Sequence, residues 1–109
     1  MPTAYKVLGQ VEPTAATATT AYTVPASTET VISTVNIVNI STNADTVRVA
    51  VRPNGESLAE KHYIVYGLVL PAFGQYSLQA GLTLDATDVI TVYSTNGTSA
   101  FNLFGSEIS

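Results

Sequence analysis

The segment TVRVAV, residues 46–51, alternates apolar and polar side chains with a period of two. Successive side chains of a β-strand point to opposite faces. Val47, Val49 and Val51 would therefore share one face, and Arg48 would lie on the other. This pattern predicts a strand with one face in a core and the other facing solvent or a partner.

Seven further segments are rich in β-branched and aromatic residues and are bounded by turn-forming residues. They are YKVLGQ (5–10), AYTV (21–24), TVISTVNIVNI (30–40), HYIVYGLVL (62–70), QYSLQ (75–79), DVITVYS (88–94) and SAFNLFGSEI (99–108). About eight strands predict one all-β domain over residues 1–109, a single antiparallel β-sandwich with jelly-roll or Greek-key wiring. Residues 12–21, EPTAATATTA, form either an extended arm or a loop within it.

Two local patterns predict how particular strands are connected. Asn96-Gly97 is a strong hairpin signal and predicts that the strands on either side of it pair with each other. Ser57 and Glu60 have capping-box spacing and predict a single helical turn within residues 57–61.

The segment HYIVYGLVL is too apolar for a strand with one solvent-exposed face. It is predicted to be covered on both sides, either centrally in a sheet or at a subunit interface, with a bulge or a close backbone approach at Gly67. Tyr63 and Tyr66 are three residues apart, so a regular strand would place them on opposite faces.

Charge excludes several classes of partner. Only 11% of the residues are charged, where soluble domains have roughly 25%. The net charge is −4 with four cations, so there is no basic stripe for nucleic acid or anionic lipid. No apolar run is long enough to span a membrane, and Met1-Pro2-Thr3 does not begin an export signal, so synthesis in the cytoplasm is expected. A surface with so few charged groups loses little hydration free energy when it is buried, which indicates that the protein assembles with other subunits.

The residues do not predict an enzyme or a cofactor. His62 is the only histidine, and the sequence places no nucleophile or orienting carboxylate beside it. Asp85 and Asp88 match no metal-loop spacing and are interpreted as turn residues. There is no cysteine and no glycine-rich phosphate loop. Catalytic, metal-binding and cofactor-binding residues are all predicted to be absent.

Three aromatic residues are the predicted partner interface: Tyr66, Phe73 and Tyr76. Tyr66 is the tyrosine of the apolar strand that a partner could cover. Phe73 lies in PAFG between turn formers, where it either folds back as a plug of the core or projects as an anchor for a partner. The plug is slightly favoured, with Tyr76 beside it.

The segments AYTVPASTETVISTVNIVNIS, TVRVAVRPNG, KHYIVYGLVLP and LTLDATDVITVYSTNGTSAFNLFGSEI together resemble small virion proteins of tailed bacteriophages and cyanophages. The resemblance runs from about Tyr5 to Ile108, and its most specific pieces are YTVPA and FGSEI. It implies a structural β-sandwich that binds other virion proteins in many copies, and it carries no catalytic motif.

Within that family the features favour a capsid cement or decoration protein, a clamp on neighbouring major capsid protein subunits at the capsid surface. A tail, neck or fibre-adaptor subunit is the alternative, and a carbohydrate-binding adhesion module is a weaker one because the chain has no tryptophan. A symmetric homo-oligomer, trimer or dimer, is expected because closed symmetry removes exposed strand edges.

Overall fold

The computed structural model describes residues 3–79 and 81–109, so Met1, Pro2 and Ala80 lie outside the described residues. This part of the chain forms nine β-strands and two single-turn 3₁₀ helices, Pro53–Gly55 and Glu60–His62. The strands are β1 (Thr3–Val11), β2 (Thr19–Thr23), β3 (Glu29–Asn39), β4 (Asp45–Arg52), β5 (Tyr63–Leu70), β6 (Gln75–Leu78), β7 (Leu82–Leu84), β8 (Val89–Ser94) and β9 (Ser99–Ile108).

The strands form two antiparallel sheets that pack as a sandwich. Sheet A has the order β1-β9-β3-β6, with β7 also pairing with β3, and sheet B has the order β2-β8-β4-β5. The early strands pair with the late ones in reverse order: β1 with β9, β2 with β8, β3 with β6 and β7, and β4 with β5. This is the wiring of a jelly roll, a long hairpin rolled up into two sheets.

The predicted all-β sandwich is confirmed, and each of the eight predicted strands is present. The ninth strand, β7, was not predicted because it contains only three residues. Strands β6 and β7 together occupy one position in the sheet, since β6 pairs with residues 35–38 of β3 and β7 with residues 30–32.

The core lies between the two sheets and is built by alternation along the strands. In β3 the residues Ile32, Val35 and Ile37 point inward, and in β4 Val47 and Val49 do so. The buried core cluster consists of Tyr22, Val24, Ile32, Val35, Ile37, Val47, Val49, Leu70, Leu84, Ile90, Val92, Phe101 and Leu103. Its side chains are aliphatic apart from Tyr22 and Phe101, and each contributes about 1.5–3 kcal/mol through burial.

Asn96-Gly97 does not connect a hairpin, so that prediction is wrong. Strand β8 belongs to sheet B and β9 to sheet A, and the turn between them carries the chain from one sheet to the other. The crossing is held by the buried carboxylate of Asp45. Its Oδ2 accepts hydrogen bonds from Ser94 Oγ and Ser99 Oγ, each at 2.5 Å, and its Oδ1 accepts from the backbone N–H of Asn96 at 2.9 Å.

Strand β5 is an edge strand, so the predicted central position of HYIVYGLVL is wrong, and the alternative, a subunit interface, stays a prediction. It is the last strand of sheet B, and Ile64, Tyr66 and Val69 are exposed. The prediction followed from the apolar composition of the segment, which does not distinguish burial in the chain from burial against a partner.

Residues 12–18, within the stretch that the sequence left as arm or loop, connect β1 to β2. The backbone N–H of Ala16 donates to the carbonyl of Ser94 at 2.9 Å, and residues 19–21 belong to β2.

Candidate interaction surfaces

The three predicted interface residues lie at different places in the fold. Tyr66 is 64% exposed on the outer face of sheet B, opposite Arg48 of β4. Phe73 lies in the turn between β5 and β6, and Tyr76 lies on β6 at an edge of sheet A. Tyr76 pairs with the buried Ile37, so it points toward the core side at the rim of the sandwich.

Two bulges in β5 decide which way its tyrosines point. Val49 pairs with Val65 and Ala50 with Tyr63, so Ile64 is an extra residue. The extra residue reverses the alternation, and Tyr63 and Tyr66 therefore lie on the same face, with ring centroids 4.8 Å apart. The prediction that they point to opposite faces is wrong because it assumed a regular strand.

The second bulge lies at Gly67 and confirms the prediction made for this residue. Val47 pairs with Leu68 and Arg48 with Tyr66, which leaves Gly67 unpaired with a φ of +76°. Glycine adopts this left-handed conformation without steric cost, so it suits the extra position of a bulge.

Arg48, Tyr63, Tyr66 and Tyr93 form a tyrosine–arginine cluster on the outer face of sheet B. The guanidinium carbon of Arg48 lies 4.5 Å from the ring centroid of Tyr66 and 4.3 Å from that of Tyr93, which is its cross-strand neighbour on β8. A cation held between two aromatic rings gains about 0.5–2 kcal/mol per ring, depending on solvent exposure. The rings thus fix the position of a positive charge at the centre of this face.

The charge of Arg48 is not matched within the described part of the chain. Its side chain takes part in no ion pair there, and its Nε is buried with no hydrogen-bond partner. A buried donor without an acceptor costs roughly 1–3 kcal/mol, more when it is charged.

Phe73 is not a plug of the core, since 65% of it is exposed. The turn Pro71–Gly74 closes with a 2.8 Å hydrogen bond from the N–H of Gly74 to the carbonyl of Pro71. Phe73 is its third residue and has a φ of +56°, a position that glycine or asparagine usually occupies. The left-handed conformation costs about 1–2 kcal/mol for a residue with a side chain. The chain thus presents an aromatic ring to solvent at a conformational cost.

Phe73→Gly is expected to raise the free energy of unfolding by roughly 0.5 kcal/mol. The substitution removes the left-handed strain, and the greater chain entropy of glycine cancels part of that gain. Phe73→Ala keeps the strain and removes the ring, so it is expected to change stability by less than about 0.5 kcal/mol. Urea unfolding of both variants measures the difference, and a loss above about 2 kcal/mol in either would show that the ring packs into the core.

A second exposed apolar surface lies on the outer face of sheet A and was not predicted. We call it the sheet A groove: a shallow depression of about 550 Å³ lined by Tyr5, Lys6, Val7, Val31, Ser33, Phe104, Gly105 and Ser106. Tyr5 is 86% exposed, and Val7, Val31 and Phe104 are also exposed. Alternation provides the only sequence signal for this surface, since Val31 and Phe104 each adjoin residues that point into the core.

A chain of polar contacts fixes the ends of β1 and β9 beside the sheet A groove. Glu107 accepts a 2.5 Å hydrogen bond from the hydroxyl of Tyr22 and pairs with Lys6 at 2.7 Å. The bond from Lys6, followed by that from Tyr22, holds the pKa of Glu107 below its usual value. Burial and the contact with Glu107 raise the pKa of Tyr22 to about 12, so its hydroxyl stays protonated and donates.

His62 has a structural position. Its Nδ1 accepts a 3.0 Å hydrogen bond from the backbone N–H of Ala59, and its Nε2 lies 3.3 Å from Oε1 of Glu56. Since Nδ1 accepts, Nε2 carries the proton and donates to the carboxylate. The helical turn predicted within residues 57–61 is the 3₁₀ helix Glu60–His62, and the predicted capping role of Ser57 is wrong because the N-cap is Ala59.

The two aspartates of LDATD are turn residues in the structure. Asp88 Oδ2 accepts from the backbone N–H of Asp85 at 2.9 Å, and Asp88 Oδ1 accepts from that of Asn54 at 2.8 Å. Across residues 3–79 and 81–109, no group of three or more His, Cys, Asp or Glu side chains is arranged to hold a metal ion.

Comparison of the sequence with protein-family models finds no match, and comparison with curated proteins finds none either. No helix within the described residues has the length and apolar character needed to cross a membrane. The interaction surfaces themselves are therefore the structural basis for an inference about function.

Proposed function

We propose that the protein is a non-enzymatic structural protein of a tailed-phage virion that cements the capsid by clamping neighbouring major capsid protein subunits. The observation that carries this proposal is the presence of two exposed apolar surfaces on opposite outer faces of one small jelly roll. The sheet A groove is one, and the tyrosine–arginine cluster with the exposed side chains of β5 is the other.

The exposed side chains support a role in assembly. Of the residues that the structure describes, ten large hydrophobic ones are exposed, in a chain with only twelve charged side chains: Tyr5, Val7, Val31, Ile40, Ile64, Tyr66, Val69, Phe73, Tyr76 and Phe104. Large exposed apolar patches mark sites of protein–protein contact, and a surface with few ions is desolvated at low cost. Two such surfaces let one copy bind two neighbours.

Each bound copy would add modest contacts, and many copies together would stabilise the shell. A specific interface buries on the order of 1,000 Å² or more, and a subunit held at two interfaces gains from effective concentration. The FGSEI segment supplies Phe104, Gly105 and Ser106 to the sheet A groove, so one of the most specific parts of the phage resemblance coincides with an interaction surface. Shell stability would then rise gradually with the number of bound copies.

The experiment that tests the proposal is immunogold labelling of intact phage particles with antibody raised against the purified domain. Label distributed over the head is the expected result. Label confined to the tail would replace the cement role with that of a tail, neck or fibre-adaptor subunit. Particles without label would overturn the virion assignment, provided that the same antibody labels purified protein adsorbed to the grid.

Carbohydrate binding is a second candidate because Tyr63, Tyr66 and Tyr93 lie together on one sheet face, where aromatic rings can stack against sugars. Saturable binding of a host polysaccharide that Tyr66→Ala abolishes would support adhesion in place of cementing. The matched control is Tyr5→Ala, which removes an exposed tyrosine from the opposite face.

A further inference from the structure

We propose that two copies of the chain associate face to face through the outer faces of sheet B, with Arg48 of each copy paired with Glu60 of the other. This inference rests on the homo-oligomer expected for the proposed structural role and identifies the surface, the symmetry and the charge pair. It assigns the sheet B face to a second copy of the chain, so the two sheet A grooves of the dimer are the surfaces left to hold neighbouring capsid subunits. The tyrosines of the cluster would lie between the two pairs.

Arg48 is the donor of the pair. Its guanidinium is held between the rings of Tyr66 and Tyr93, and its side chain is only partly exposed. No carboxylate reaches it among the described residues. A guanidinium carries five coplanar N–H donors that match a carboxylate, so an acidic side chain is the group that completes this site.

Glu60 is the acceptor, and it lies on the same surface. Its side chain is exposed and lines a hollow of about 270 Å³ with Tyr63 and Tyr66. It forms no ion pair within residues 3–79 and 81–109, where Glu56 takes the contacts from Lys61 and His62. Within the described part of the chain, one face therefore carries a cation and an anion that each form no ion pair.

The positions of the two charges allow a closed two-fold dimer. In a two-fold interface, residue i contacts residue j and residue j contacts residue i. Two points on one face meet reciprocally when the axis lies in the interface plane, is perpendicular to the line between them and passes through its midpoint. Tyr66 contacts Arg48, and Tyr63 contacts Tyr66 and adjoins Glu60. The axis would thus pass near the tyrosines and bury their rings against those of the partner.

The test is sedimentation velocity of the purified chain over a wide concentration range. Wild type is expected to form a dimer. Arg48→Glu and Glu60→Arg each place like charges opposite one another in both pairs of a homodimer, so each variant is expected to weaken dimerisation at least about 30-fold. An equimolar mixture of the two variants restores both pairs and is expected to form a heterodimer, and the double variant is expected to form a homodimer again.

Glu12→Arg is the matched control, because it makes the same charge change at an exposed residue that follows the sheet A strand β1. It is expected to leave the dimer intact. A monomeric wild type overturns the proposal, and so does a dimer that Glu60→Arg does not weaken or a mixture that stays monomeric. Glu60 is exposed, so its variant tests the pair even if Arg48→Glu unfolds. Immunogold labelling is read separately, so a monomer found on the capsid would refute only the dimer.

Discussion

Asp45→Ala is expected to lower the free energy of unfolding by about 3–5 kcal/mol, because a hydrogen bond to a charged group contributes roughly 1.5–3 kcal/mol and several such bonds are lost together. The carboxylate accepts from the hydroxyls of Ser94 and Ser99 and from the backbone N–H groups of Thr46 and Asn96. Alanine would leave four donors without their acceptor where the chain crosses between sheets. Small domains have about 5–15 kcal/mol of stability, so urea unfolding should show a large shift in midpoint.

Asp45→Asn provides the control that separates charge from hydrogen bonding. The amide oxygen can accept from both backbone N–H groups, and the amide nitrogen can donate to the two hydroxyls if these rotate. The loss is therefore expected to be clearly smaller than for alanine. Equal losses in the two variants would show that the negative charge, rather than the number of hydrogen bonds, holds the crossing.

The same carboxylate gives stability a pH dependence. Burial alone would raise the pKa of Asp45, but hydrogen bonds from Ser94, Ser99, Asn96 and Thr46 outweigh it and hold the pKa below its usual 3.8. Because the folded pKa is lowered, the contribution is fully present above the unfolded value and is lost as pH falls through the folded one. Stability curves should fall less steeply with acid in Asp45→Asn than in wild type, with Glu107 contributing to both.

The strands could be predicted because their signals are local. A period-two pattern such as Val47, Arg48, Val49 reflects which face of one strand is buried, and the structure buries both valines. The segment 99–108 coincides with β9 for the same reason. The sequence could not decide between jelly-roll and Greek-key wiring, since all the pairings except that of β4 with β5 join segments that are distant in sequence.

The predictions that failed are those in which packing against distant parts of the chain outweighed a local sequence signal. Asn96-Gly97 supports a turn, but Asp45 determines that this turn crosses between sheets. The face of Tyr66 depends on a bulge at Ile64 that pairing with β4 creates. The apolar composition of β5 predicted a central position, but pairing with distant strands places β5 at the edge of sheet B, where Ile64, Tyr66 and Val69 are exposed.

The candidate interface residues also differ in whether the sequence carries a local signal for them. Tyr66 and Phe73 stood out because an aromatic residue is conspicuous in an apolar strand or in a turn, and both are exposed in the structure. Arg48 and Glu60 carry no such signal, because only the folded sheet shows that each lacks a partner among the described residues. Whether these residues contact a partner stays a prediction until the dimer and the particles are tested.

Gly105→Ala is expected to destabilise the domain by about 3 kcal/mol, because the new methyl group has no space. A Cβ at this position would lie 2.0 Å from the carbonyl oxygen of Val31 and 3.0 Å from the Cα of Ile32, and both are backbone atoms that cannot rotate away. Strands β3 and β9 would have to separate at the floor of the sheet A groove. Urea unfolding measures the loss.

Gly67→Ala is the matched control for this effect. Gly67 has a left-handed φ but no atom within 4 Å of a built Cβ, so alanine there is expected to cost only about 1 kcal/mol of conformational strain. A larger loss at Gly105 than at Gly67 shows that the close approach of two strands, and not backbone conformation, requires glycine in FGSEI. Equal losses would mean that β9 can shift to admit the methyl group, and that the shape of the groove is not fixed by this contact.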